Sequence, residues 1–303
     1  MSVTDMNWKG VMPAITTPLD SLGAVDHAFL AKHVGWLVDH GATGIVALGS
    51  LGEGATLTFD EKLAILTSVV DAVASRVPVV AAISALSTQE GVRLAQRAEA
   101  IGCRGLMVLP PYVHTGEWPE IRAHFLGVLR ATEVSCMLYN NPIAYGTDLR
   151  PEHVQELADT VSHVHAVKES SGDLRRITAI RALVGDRLAI FAGLDDMVVE
   201  GVAAGAVGWV AGLVNALPKE SMALFEYAVA GDHERAFSLY RWFLPLLRLD
   251  TVPEFVQLIK LVQSVVGMGS EVVRLPRLPV AGALRERAMA TITEALSTRP
   301  ELD

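Results

Sequence analysis

The chain is predicted to be an α/β protein, a (β/α)8 TIM barrel with a C-terminal helical extension. Three observations lead there. From residue 11 to about 213, short apolar runs alternate with longer amphipathic stretches, the pattern of parallel strands joined by crossover helices. The runs number eight, the count that closes a barrel. From Pro218 onward the pattern is helical only, which divides the chain into a barrel at 1–217 and a helical extension at 218–303 packed on it.

The strands are expected at 11–17 (VMPAITT), 44–49 (GIVALG), 78–84 (PVVAAIS) and 105–110 (GLMVLP). Four more follow at 135–141 (SCMLYNN), 164–170 (VHAVKES), 188–193 (LAIFAG) and 208–213 (GWVAGL). Each is short and rich in apolar or β-branched residues, as a buried strand is. Helices lie between them, among them 60–74, with Asp60 at its N-cap, and 88–101, opened by Thr88. Further helices are predicted near 218–230, 232–248, 252–267 and 280–297. This tail is too poor in strands to extend the barrel and too apolar to be a loose linker.

Composition narrows the function. With 303 residues, 51% of them hydrophobic, the chain can bury a large core. Its formal charge is −9 and its 25 Lys and Arg are scattered, so there is no basic stripe for a phosphate backbone and nucleic acid is not an expected partner. The N-terminus MSVTDMNWKG has no apolar signal core, and no uncharged stretch approaches the roughly 20 residues of a membrane helix. A cytoplasmic protein without membrane contact is expected. Cys103 and Cys136 sit in apolar segments and read as packed thiols. His163 and His165 alternate along the sixth strand without a third ligand in reach, so neither a metal nor another cofactor is expected.

Catalytic groups in such a barrel come from the C-terminal ends of the strands. Lys168 ends the apolar run Val164-His165-Ala166-Val167. Desolvation disfavours an ammonium there and favours the neutral amine that condenses with a carbonyl to a Schiff base. Tyr139 ends the fifth strand and Ser50 follows the second in GSLGE. Singly, these are a solvated charge, a packed ring and a turn residue; together, from strands two, five and six at one rim, they suggest one pocket. The glycine-rich turn can offer the Ser50 and Leu51 amides to a carboxylate, with Tyr139 moving protons and Lys168 holding the carbonyl carbon.

Five strings carry a resemblance over nearly the whole chain: GSLGE at 49–53, PPY at 110–112, YNNP at 139–142, VKESSGD at 167–173 and FAGLDD at 191–196. In this order they resemble the dihydrodipicolinate synthase and N-acetylneuraminate lyase superfamily. The resemblance implies Lys168 as the Schiff-base lysine, Tyr139 as the proton-transfer tyrosine and the Ser50-Leu51 turn as the carboxylate seat. Gly193 and Val210 match positions lining the same pocket. It also implies a homotetramer built as a dimer of dimers.

The departures bear on the reaction. Dihydrodipicolinate synthase carries two threonines where this chain has Ser50 and Leu51, and a tyrosine lent by a neighbouring subunit where it has Val113. Its substrate-binding arginine is replaced within Ile143-Ala144-Tyr145. The strings LRLDTVPEFVQLIKLVQ at 247–263 and GSEVVRLPRLP at 269–279 resemble a subgroup linked to hydroxyproline breakdown. Members of that subgroup resemble deaminases of 1-pyrroline-4-hydroxy-2-carboxylate, which give 2,5-dioxopentanoate and ammonia, and the resemblance implies this activity here. The expected substrate is thus a small 2-oxo acid or cyclic imine 2-carboxylate. A pyruvate-releasing aldolase of 2-oxo-4-hydroxy acids and the synthase itself are the alternatives, and a non-catalytic sensor is disfavoured by the retained Lys168 and Tyr139. Tyr145 and His114 are rim candidates for contacting the C4 substituent.

Overall fold

A computed structural model describes residues 6–302. All eight expected strands form: β1 (Gly10–Pro13), β2 (Ile45–Ala47), β3 (Val79–Ile83), β4 (Gly105–Val108), β5 (Ser135–Asn140), β6 (Val164–Glu169), β7 (Ala189–Ala192) and β8 (Gly208–Ala211). They are parallel neighbours in the order β1-β8-β7-β6-β5-β4-β3-β2. A parallel bridge between Ala14 and Val46, with the Ile15 amide donating to Val46 O at 3.0 Å, joins β1 to β2 and closes the barrel.

The strands stop short of the apolar runs that predict them. Residues such as Leu48 and Leu109 are still buried but lie past the ladder, where the chain turns over the rim. Leu48 has a φ of 67°, a left-handed conformation that no strand continues through.

Two helix starts also differ. The helix Phe59–Val73 is capped by Thr58 and not Asp60: Thr58 Oγ1 accepts from the Glu61 amide while the Glu61 carboxylate accepts from the Thr58 amide, a reciprocal capping box. Asp60 lies in its first turn, where a negative charge favours the helix dipole. The helix Thr88–Ile101 is capped by Ser87, and Thr88 turns its hydroxyl to His124 Nδ1 instead, at 3.0 Å.

Side-chain parity sets the barrel interior. Phe191 pairs with Lys168 on one side and Gly208 on the other, and a Cβ on Gly208 would lie 2.3 Å from the Phe191 ring. Phe191 therefore fills the barrel, and Trp8 closes on it edge-to-face at 6.1 Å. Because successive side chains alternate, Gly193, Val210 and Gly212 share the inward parity of Phe191 and Gly208.

The tail helices are Pro218–Ala230, His233–Leu247, Phe255–Val265 and Gly282–Ser297. The first packs on β1 and on Val198–Ala203, the place of an eighth barrel helix. The third returns to the C-terminal mouth, where Thr16 Oγ1 donates to Gln263 Oε1 at 2.8 Å. Cys103 and Cys136 are buried, and burial pushes the Cys103 thiol up to about 12 and the Cys136 thiol further in the same direction. No helix among the described residues is long and apolar enough to cross a membrane.

Candidate active site

Lys168 and Tyr139 are register partners on β6 and β5. Both are buried, and Lys168 Nζ stands 4.4 Å from the centre of the Tyr139 ring. The Tyr139 hydroxyl accepts from Asn141 Nδ2 at 3.1 Å. Gly193, at the end of β7, leaves room for the lysine stem: a Cβ there would lie 2.8 Å from Lys168 Cε and 1.9 Å from Ser170 Oγ. Val210 is buried on β8 opposite Met12 of β1 and has the same inward parity. The residues predicted from strands five to eight thus share one face of the sheet toward the C-terminal end of the barrel.

The turn after β2 is held by its own backbone. The Glu53 amide donates to Ser50 O and the Gly54 amide to Gly49 O, both at 3.1 Å. Gly52 and Gly54 have no space for side chains, since a Cβ would come within 2.9 Å of Ile15 O and 2.2 Å of Leu48 O respectively. Among the described residues no acceptor is bound to the Ser50 or Leu51 amide, so both N–H groups are unengaged.

Tyr145 comes from the short helix Pro142–Tyr145 after β5. Its hydroxyl shares a short hydrogen bond with Ser50 Oγ, and its ring meets Tyr139 edge-on at 5.8 Å and Tyr112 at 5.6 Å. Burial, then the neighbouring Tyr139 and Tyr112, hold the Tyr145 phenol well above its ordinary range. Tyr145 therefore links the turn to the tyrosine beside Lys168. Val113, by contrast, is 93% exposed with a φ of 54°. His114 pairs with Glu120 at 3.4 Å, both more than half exposed, and no contact with Lys168, Tyr139 or Tyr145 is recorded for it among the described residues.

His163 Nε2 donates to Leu129 O at 2.9 Å and His165 Nδ1 meets Ser135 Oγ at 2.7 Å. These contacts engage both rings at the N-terminal half of the sheet, away from Lys168. Among the described residues no three His, Cys, Asp or Glu side chains converge as metal ligands would.

Several residues around the mouth were not singled out from the sequence. Glu53 lies buried behind the turn and accepts from Lys260 Nζ at 2.6 Å and the Arg274 amide at 3.0 Å. Asp195 accepts from Trp209 Nε1 at 2.9 Å and from the Gly212 and Leu213 amides; burial, opposed by those bonds, raises its carboxyl to about 6. Asp250, from the one-turn segment Arg248–Asp250, lies against Gly212. Glu53, Asp195 and Asp250 fall in the strings GSLGE, FAGLDD and LRLDTVPEFVQLIKLVQ, but a string does not say which way a carboxylate points.

A sequence model of the dihydrodipicolinate synthetase family matches residues 7–295. A 4-hydroxy-tetrahydrodipicolinate synthase of Geobacter metallireducens is 31% identical over 287 residues, 95% of this chain and 98% of that protein. One of Trichlorobacter lovleyi is 32% identical over 287 residues, with the same coverage. Among solved structures, the dihydrodipicolinate synthase of Acinetobacter baumannii complexed with pyruvate superposes with a TM-score of 0.91 at 27% identity, over 95% of this chain and 99% of that one.

Proposed function

We propose, for a chain that belongs to the dihydrodipicolinate synthetase family of class I Schiff-base lyases, that Lys168 forms its Schiff base with C2 of a small 2-oxo acid or cyclic imine 2-carboxylate. The observation that carries this is Lys168 Nζ at the Tyr139 ring in a buried mouth, within a barrel whose Ser50 and Leu51 amides are unengaged. The substrate carboxylate sits on those amides. Lys168 adds to C2, Tyr139 moves the protons of carbinolamine formation and collapse, and the resulting iminium draws electrons from C3. Pyruvate in the Acinetobacter baumannii relative supports the 2-oxo acid class.

For the fate of that iminium we favour dehydration and deamination of 1-pyrroline-4-hydroxy-2-carboxylate. Loss of a C3 proton gives an enamine. The enamine expels the C4 hydroxyl as water, and two waters then hydrolyse the C–N bonds. The net change is ring imine plus one water to 2,5-dioxopentanoate plus ammonia. The site supports a substrate with a single carboxylate: Ile143-Ala144-Tyr145 supplies no arginine for a second one, and the mouth carries the carboxylates of Asp195 and Asp250.

A second reading, 4-hydroxy-tetrahydrodipicolinate synthase, is favoured by the names of the relatives, and on similarity alone it has the stronger support. A pyruvate-releasing aldolase would use the same iminium. We further infer a cytoplasmic homotetramer, tested by the mass of the protein in solution.

Incubation with pyruvate or the cyclic imine, borohydride reduction and intact mass should give an adduct that Lys168→Ala abolishes; an adduct that survives this substitution refutes the Schiff-base reading. Ammonia release from 1-pyrroline-4-hydroxy-2-carboxylate, pyruvate release from 2-oxo-4-hydroxy acids, and condensation of pyruvate with aspartate semialdehyde should then be run side by side. Fast condensation would establish the synthase, and pyruvate release alone the aldolase.

A further inference from the structure

Four carboxylates lie around the C-terminal mouth, three buried and Asp250 half-buried, and the three buried ones are engaged. Glu53 is bound by Lys260 and the Arg274 amide. Glu169 accepts from Asn140 Nδ2 at 3.0 Å and the Ser171 amide at 2.6 Å. Asp195 is bound by Trp209, Gly212 and Leu213. Asp250 differs: its Oδ1 is out of solvent and has no hydrogen-bond partner. A buried acceptor left open is destabilising and calls for a reason outside folding.

The placement of Asp250 supplies that reason. A Cβ on Gly212 would come within 2.2 Å of Asp250 Oδ1 and 2.6 Å of Oδ2, so the carboxylate rests on the glycine backbone at the end of β8. Gly212 has the inward parity of Val210 and Gly193, the latter packed on the Lys168 stem. Asp195, bound to the Gly212 amide, lies beneath. The charges that Asp250 feels are those of Asp195, Lys168 and Asp196, and Asp196 faces Arg248 at 3.8 Å. The C-terminal extension thus delivers a free carboxylate to the same mouth as the lysine, at the end of β8.

We infer that Asp250 is the acid–base residue of the elimination: its carboxylate takes the C3 proton of the Lys168 iminium and returns it to the departing C4 hydroxyl. The C3–H electrons form the C2=C3 bond as the iminium becomes an enamine. The nitrogen lone pair then reforms the iminium, C3=C4 forms, and hydroxide leaves with the proton from Asp250 as water. One carboxyl is left as it began, and no other reactant is needed. Burial, then the neighbouring Asp195, raise the Asp250 carboxyl above its ordinary range, opposed by Lys168; the ionised carboxylate is then a stronger base for the C3 proton and holds it for the departing hydroxyl.

The inference rests on the Schiff-base reading, and pyruvate separates the two. In D2O, proton NMR follows exchange of the pyruvate methyl, which needs the C3 step but not elimination, while borohydride trapping follows the Schiff base. For Asp250→Asn, the expected result is an undiminished trapped adduct with exchange slowed at least about 100-fold. Gly212→Ala, whose Cβ displaces the carboxylate, should act in the same direction and provides the test if Asp250→Asn does not fold. Asp250→Glu should recover part of the exchange. An adduct with exchange within about threefold of the parent overturns the role of Asp250 alone. Loss of the adduct in folded Asp250→Asn overturns it too, since the carboxylate would then serve the lysine. No adduct on the parent chain removes the Schiff-base reading and this inference with it.

Discussion

Glu53, in the turn after β2, and Lys260, in the helix Phe255–Val265 of the extension, form an ion pair of 2.6 Å whose side chains are 1% and 2% exposed. The pair ties the proposed carboxylate seat to the far end of the chain. Lys260 also donates to Val272 O at 2.7 Å, which leaves little of its ammonium unsatisfied.

Removing one partner leaves the other charged and buried, which destabilises by roughly 3–5 kcal/mol. Lys260→Met should lower the unfolding free energy from urea titration by that amount and raise the KM for the 2-oxo acid. The double variant Glu53→Gln with Lys260→Met should regain most of the stability but not the KM. Equal loss in the single and double variants would contradict this account.

Gly193→Ala should separate folding from chemistry. Its Cβ would stand 2.8 Å from Lys168 Cε and 1.9 Å from Ser170 Oγ, so the lysine must leave its position while the β7 backbone remains. Because reaction rates depend steeply on placement, borohydride trapping with pyruvate should slow by about 100-fold. The circular dichroism spectrum should remain that of the parent.

Tyr145→Phe deletes the hydrogen bond to Ser50. One such bond contributes about 1 kcal/mol, and the same sum in a transition state is about a fivefold rate effect. Turnover should fall about fivefold with the trapped adduct retained. Burial holds the Tyr145 phenol well above its ordinary range, so it stays protonated through neutral pH. The ratio of variant to parent rates should therefore be flat between about pH 6 and 9.

Acid should unfold the protein partly through His33. This residue is fully buried, and burial lowers its imidazole from 6.5 to about 4, opposed by the bond from Nε2 to Asn215 O at 2.9 Å. A group whose affinity for protons is lower folded than unfolded stabilises the fold above its unfolded value and loses that contribution as pH falls. The loss should run from about 6.5 down through about 4, amounting to about 3 kcal/mol at roughly 1.4 kcal/mol for each pH unit. Urea midpoints measured at pH 7.5 and 4.5 should differ less in His33→Gln than in the parent.

The barrel was legible because each strand is an apolar run bounded by turn residues, a signal that survives without tertiary information. The eight runs appear as β1 to β8, and the predicted tail helices fall within a few residues of the observed ones. The helix starts at Asp60 and Thr88 were misplaced because several adjacent hydroxyl and carboxylate side chains can cap; only geometry selects Thr58 and Ser87. Around the mouth, Lys168 and Tyr139 were found because strand ends in a barrel converge. Tyr145 was placed at the rim without its partner, and the hydrogen bond to Ser50 crosses 95 positions of sequence.

By itself the sequence determined the barrel, its helical tail and the position of the lysine at the mouth, since periodicity and strand ends are local properties. Only the tertiary structure decided which carboxylates are engaged and which is free. Glu53, Asp195 and Asp250 all read simply as carboxylates in the sequence. Their difference lies in donors from distant segments, and burial makes the absence of a donor at Asp250 consequential.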